Sequence, residues 1–127
     1  MRTVHFAGRP AAVVSATLEL FHLYSRRPGW VLDATLDGPI GRLWIAGTAD
    51  ADTAPRRLDV EYVDAPAIVT LDDRTGTLAP ADGAHLLVRE LGAGLARIEG
   101  TLALRWTSGD TERPYEIAVD LVAALVT

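Results

Sequence analysis

The sequence predicts an all-β fold, an antiparallel β-barrel of about eight strands in one domain over residues 1–127. Three observations support this prediction. Apolar residues recur at every second position along much of the chain. Clusters of Gly, Pro and Asp separate these segments. The last two segments are about ten residues long, and long strands joined by hairpins suit a tilted sheet that closes on itself. A two-sheet β-sandwich is the alternative.

The C-terminal third of the chain predicts a β-hairpin. Residues 97–106 and 115–125 both alternate apolar and polar side chains, and residues 107–114 between them are rich in turn formers. A turn about Asp110 and Thr111 aligns apolar with apolar and basic with acidic side chains. The predicted register pairs Trp106 with Tyr115, Leu104 with Ile117, Leu102 with Val119 and, on the outer face, Arg105 with Glu116.

Shorter segments repeat this alternation nearer the N-terminus. Strands are predicted within residues 30–36, 40–47, 58–63, 67–71 and 85–91, each followed by turn-forming residues.

Residues 11–24 fit two patterns. A helical stripe of Val14, Leu18 and Phe21 is the alternative to a strand, so the predicted fold has at most one short helix. The strand, which we prefer, places one set of residues on a single face: Val14, Ala16, Leu18, Leu20, His22 and Tyr24.

Composition makes several chemistries and partners improbable. The chain has no Cys, Lys, Asn or Gln, so it lacks a thiol nucleophile, a Schiff-base lysine and a carboxamide oxyanion donor. Its net charge of −5 disfavours nucleic acids and anionic membrane surfaces. Residues 11–23 are too short to span a bilayer, and Arg9 and Pro10 interrupt any N-terminal signal peptide. We therefore expect a cytoplasmic protein.

The three histidines lie far apart in the sequence. His5, His22 and His85 form none of the short spacings typical of metal ligands. We expect no metal site and no cofactor.

Two residues stand out as candidate catalytic groups. His22 shares its predicted face with leucines, and Glu90 has the same parity as the inward-facing Leu86 and Val88. A buried carboxylate that is held near neutral pH in its protonated form serves as a general acid or base. The alternative for Glu90 is a strand that ends or bulges at Arg89 and releases the side chain to solvent.

Four aromatic residues are the candidate substrate-binding residues. Trp106 and Tyr115 lie at the hairpin end of the predicted inner face, and Tyr24 and Tyr62 have inward parity on their own strands. They would plug the mouth of a barrel or line it to hold an apolar ligand. Trp44 is left undecided, because its neighbours Leu43 and Ile45 compete for the inner face.

Two functions of different classes follow. The first is a β-barrel that binds a small apolar molecule. As an enzyme it would be a cofactor-independent cyclase, isomerase or lyase that preorganises its substrate with acid–base assistance. Small barrel cyclases of bacterial natural-product metabolism suggest this by analogy of fold alone.

The second function is a structural or interaction module, such as an accessory subunit or a virion part. The second face of the C-terminal strand carries Ala118, Val122, Ala124 and Val126. A strand that is apolar on both faces is covered on both faces. Either another segment covers it or a second subunit does, and the latter predicts a homodimer through this strand.

Overall fold

The computed structural model describes residues 3–22, 28–38, 41–49, 56–65, 70–71 and 73–126. Strands dominate these residues, and none of them is helical, so the helical alternative for residues 11–22 is wrong. The described part accordingly contains no helix long and apolar enough to cross a membrane. In chain order the strands are β1 (Thr3–Phe6), β2 (Arg9–His22), β3 (Pro28–Leu36), β4 (Arg42–Ala49), β5 (Arg56–Asp64), β6 (Thr70–Leu71), β7 (Arg74–Thr75), β8 (Thr77–Pro80), β9 (His85–Gly92), β10 (Leu95–Ser108) and β11 (Thr111–Val126).

Eight of these strands pair edge to edge in a closed ring, which confirms the predicted all-β class and strand number. The ring runs β1–β2–β3–β4–β5–β9–β10–β11 and returns to β1, and every one of these pairings is antiparallel. Beyond the end of β1, β11 pairs directly with β2 in parallel over three residue pairs. β8 adds to β10, and β6 pairs with β7 separately. A ring of this kind accommodates both predicted shapes, barrel and sandwich.

The inside of the ring is one connected apolar core. All eight ring strands contribute buried side chains, because alternate positions of each strand face inward. Among the described residues, no polar or charged residue is buried. The largest fully buried side chains are Trp30, Trp106 and Phe6. Large aromatic and aliphatic groups therefore occupy the interior that the sequence suggested for a ligand.

The C-terminal hairpin is confirmed, but its register differs from the predicted one by two residues. Trp106 lies opposite Arg113, and Leu104 lies opposite Tyr115. The turn is shorter than expected, because Gly109 has a φ of +57° at the first central position of a two-residue turn. A shift of two residues keeps every side chain on its predicted face. Arg105 consequently forms an ion pair with Glu112, with 2.7 Å between Nε and Oε1, instead of with Glu116.

Three β-bulges reverse the facing of side chains along the ring. Each inserts one extra residue, in β2 before Ser15, in β5 at Glu61 and in β9 at Leu91. Val14 is consequently 63% exposed and does not share the face of the buried Ala16 and Leu18, contrary to the sequence prediction. Tyr62 is 52% exposed, so the inward facing predicted for it is wrong. Strict alternation cannot anticipate a bulge, because one added residue exchanges the two faces.

The bulge in β5 is stabilised from inside the core by Trp30. Its indole N–H donates to the carbonyl oxygens of Thr48 and Asp59, both at 3.1 Å. Trp30 lies directly opposite Gly47 on the neighbouring strand. A Cβ atom on Gly47 would lie 1.8 Å from the Asp59 carbonyl oxygen. The bulge therefore requires glycine at this position.

We expect Gly47→Ala to destabilise the fold by roughly 3 kcal/mol or more, because the added methyl overlaps a backbone atom that cannot rotate away. The free energy of unfolding from urea titration measures the loss. Thr17→Ala, at an exposed position of β2, is the control and should stay within about 0.5 kcal/mol of the parent. A Gly47→Ala variant as stable as this control would contradict the account of the bulge.

Candidate functional site

The structure describes the side chain of only one of the two residues predicted to be catalytic, Glu90. Glu90 is exposed near the end of β9, directly before the bulge at Leu91. Of the two interpretations of Glu90, the inward carboxylate is wrong and release of the side chain to solvent is confirmed, with the bulge at Leu91 instead of Arg89. The backbone of His22 ends β2 opposite Pro28. The side chain of His22 lies outside the described residues, as does Tyr24, so their predicted roles stay predictions.

Trp106 and Tyr115 lie close together at one end of the inner face, as diagonal neighbours across β10 and β11. Trp106 is fully buried. The guanidinium carbon of Arg113 lies 5.9 Å from its ring centroid. On another side the backbone of Gly76 approaches so closely that a Cβ there would lie 2.6 Å from the indole. This geometry favours a Trp106 side chain that fills the end of the ring of strands over one that contacts a ligand.

Tyr115 is half-buried at a shallow groove of about 410 Å³. Burial raises the pKa of its phenol above the ordinary value, and the positive charge of Arg9 partly opposes this shift. Tyr62, the remaining aromatic candidate, lies on the outer surface. The four predicted substrate-binding residues therefore do not form one inner wall in the part of the chain that the structure describes.

The stability of the protein should fall as the pH rises through 10, in part because of Tyr115. A phenol with a raised pKa in the folded state stays protonated while the unfolded chain ionises near pH 10.0. Ionisation therefore favours unfolding in alkaline solution. Urea unfolding at pH 8 and about pH 10.5 should show a smaller alkaline loss for Tyr115→Phe than for the parent. An equal loss in the two proteins would contradict the effect of burial.

An aromatic cleft on the outer face is the most distinctive surface feature. Trp44 and Tyr62 contact each other edge to face, with ring centroids 5.2 Å apart and planes at 77°. Tyr62 lies directly opposite Ala46, so it is a diagonal neighbour of Trp44 across β4 and β5. Ala46, whose side chain is small, also lines the cleft beside the two rings. The cleft has a volume of about 650 Å³ and is lined by Arg42, Trp44, Ala46, Tyr62 and Asp64.

Charged side chains surround the aromatic cleft. Trp44 lies directly between Asp33 on β3 and Asp64 on β5. Arg42 holds Asp33 in two hydrogen bonds, of 3.1 Å and 2.9 Å. The hydrogen bonds and charge of Asp33, with a smaller attraction from Asp64, raise the pKa of the Arg42 guanidinium. The cleft thus joins two aromatic rings to one cation and two anions.

A second outer groove, of about 380 Å³, is lined by His5 and His85 with Glu99 and Asp120. The Nδ1 atom of His85 lies 2.9 Å from the carbonyl oxygen of Gly83 and donates to it. Arg97 binds Asp120 at 3.2 Å and lies 3.6 Å from Glu99. Among the described residues, no cluster of three or more His, Asp or Glu side chains could hold a metal ion. The carboxylates of Glu99 and Asp120 in this groove are therefore already paired with Arg97 of the same chain.

Sequence reasoning missed the aromatic cleft, although one signal was available. If Leu43 and Ile45 face inward, then Arg42, Trp44 and Ala46 must face outward. A single outward Trp is common on protein surfaces, so this signal becomes informative only when a second aromatic residue lies beside it. Tyr62 could not be added to this face from the sequence, because only the bulge at Glu61 turns it outward.

No family model, no curated protein and no solved structure matches the chain.

Proposed function

We propose that this protein is a small-molecule binding module that takes its ligand in the aromatic cleft on the outside of the sheet. The observation that supports this proposal is the edge-to-face pair of Trp44 and Tyr62 beside Arg42 and Asp64. Ligand sites combine aromatic surface with a few polar groups that fix orientation. The cleft has both, and its Tyr side chain is 52% exposed.

The outer cleft is a better site than the interior for a physical reason. The described interior holds no buried polar side chain that could orient a ligand or transfer a proton. It is also occupied by large groups, among them Trp30 and Leu32. The cyclase, isomerase or lyase expected from the sequence needs acid–base groups near its substrate. Binding without chemistry requires only the cleft, so we favour a binding module over an enzyme.

Tryptophan fluorescence provides a direct test. Trp30 and Trp106 are fully buried, whereas Trp44 is half-buried in the cleft. Titration with a neutral environment-sensitive dye, Nile red, should saturate with one site per chain and change the emission of Trp44. We expect Trp44→Ala to weaken binding at least about tenfold, because a stacked aromatic surface contributes ~1.4 kcal/mol or more. Tyr62→Ala should weaken it in the same direction.

Leu91→Ala is the matched control, because Leu91 and Tyr62 are both 52% exposed and Leu91 lies outside the cleft. This variant should bind the dye as the parent does. Circular dichroism and urea unfolding verify that each variant is folded. Equal affinity of the parent, Trp44→Ala and Tyr62→Ala, all folded, would refute the proposal.

Self-association is a second candidate function, and a different surface supports it. Leu95 on β10 pairs with Ala124 on β11, and their outward side chains lie at one end of the ring. Leu91, Leu95 and Val126 are 52%, 37% and 42% exposed, respectively. Exposed apolar groups in one area are typical of protein interfaces. The expected partner is a second copy of the chain, through the outer face of β11.

Light scattering at micromolar concentration tests this candidate. A dimer would have twice the 13.6 kDa mass of the chain. We expect the double substitution Leu95→Asp and Val126→Asp to return the mass to that of the monomer, because two buried charges would oppose association. Val14→Asp, which is 63% exposed in the parent and lies in β2, is the control. A monomeric parent would exclude the candidate.

A further inference from the structure

We propose that the ligand of the aromatic cleft is a small organic cation with a methylated ammonium group. This inference rests on the proposed function, because it names the ligand class of the same site. It is drawn from the charge around the cleft and from the angle between its two rings.

The charges around the cleft sum to −1. Asp33 and Asp64 each contribute one negative charge, and Arg42 contributes one positive charge. The positive charge is already taken up by Asp33, at 2.9 Å. Asp64 has no ion pair within 4.0 Å in the part of the chain that the structure describes, and it acts on Arg42 only at longer range. The carboxylate of Asp64 therefore remains available to a cation that enters the cleft.

The two aromatic rings supply a surface that attracts cations. The face of an aromatic ring carries partial negative charge, so a cation is bound over the face of Trp or Tyr. The planes of Trp44 and Tyr62 meet at 77°, which forms a corner with a ring face on each side. A round group such as trimethylammonium contacts both faces of this corner at once. A flat neutral molecule can stack on only one ring at a time.

The positions of the side chains in the sheet place Asp64 beside this corner. Asp64 lies directly opposite Trp44 across the strand pair, and it lies two positions after Tyr62 on the same strand. Directly opposite residues of an antiparallel pair have Cβ atoms about 5 Å apart. The corner thus has two ring walls and an adjacent anion, and Ala46 also lines the cleft. This combination is charge-complementary to a methylated ammonium and less suited to a carboxylate or phosphate.

Choline and its neutral isostere 3,3-dimethylbutan-1-ol distinguish a cation from an apolar group of equal shape. Calorimetric or NMR titration of the full chain should show choline binding at least about fivefold more tightly, because only choline gains the cation–π and carboxylate attraction. Asp64→Asn should weaken choline binding about threefold to fivefold and leave the isostere unchanged. Asp110→Asn removes the same charge from a distant exposed turn and should leave choline binding unchanged.

The possible outcomes separate this inference from the proposed function. Equal affinity for choline and its isostere, both lost in Trp44→Ala, would overturn the cation and leave the cleft as a binding site. A choline affinity that falls equally with Asp64→Asn and with Asp110→Asn would also overturn it, because the protein's overall charge would then be responsible. If Trp44→Ala changes the binding of none of the three compounds (choline, its isostere and Nile red), both the proposed function and this inference are refuted.

Discussion

The close approach of the Asp59 carbonyl oxygen to Gly47 connects the core of this protein to its surface. The approach is possible because Gly47 has no side chain, and the indole N–H of Trp30 donates to the same oxygen from the inside. Two residues after Asp59, the extra Glu61 reverses the facing of β5. This reversal brings Tyr62 against Trp44 on the outside. A single irregularity is thus hydrogen-bonded to the core on its inner side and forms the aromatic cleft on its outer side.

Much of the architecture could be predicted from the alternation of apolar residues. Strands β3, β5, β9, β10 and β11 all contain segments predicted from period-two patterns, and the ring of eight strands agrees with the expected number. The hairpin of β10 and β11 was predicted on its correct faces. Its register was off by two residues because the face pattern repeats every second residue. The register is fixed by the turn itself, in which Gly109 is the first central residue.

The site was harder to predict, because bulges decide which side chains face outward. Tyr62 has the parity of the buried Leu58 and Val60, yet it is exposed. Glu90 has the parity of Val88, and the end of the ring releases it to solvent. No local pattern marks the extra residue in β5, since that bulge depends on Gly47 and Trp30, which are distant in sequence. The release of Glu90 near a bulge, however, was one of the two interpretations that the sequence allowed. By contrast, the outward facing of Trp44 followed from Leu43 and Ile45 and could have been deduced.

The short strand β1 is the seam at which the ring closes. It lies between β2 and β11 and pairs with both, whereas these two strands touch directly over only three residue pairs. Two of its four residues, Val4 and Phe6, bury their side chains in the interior. If β1 were released, the facing backbone edges of β2 and β11 would be left unpaired where β1 now lies between them. Free edges of this length accept a strand from another chain, so β1 protects the molecule against exchange of strands between copies.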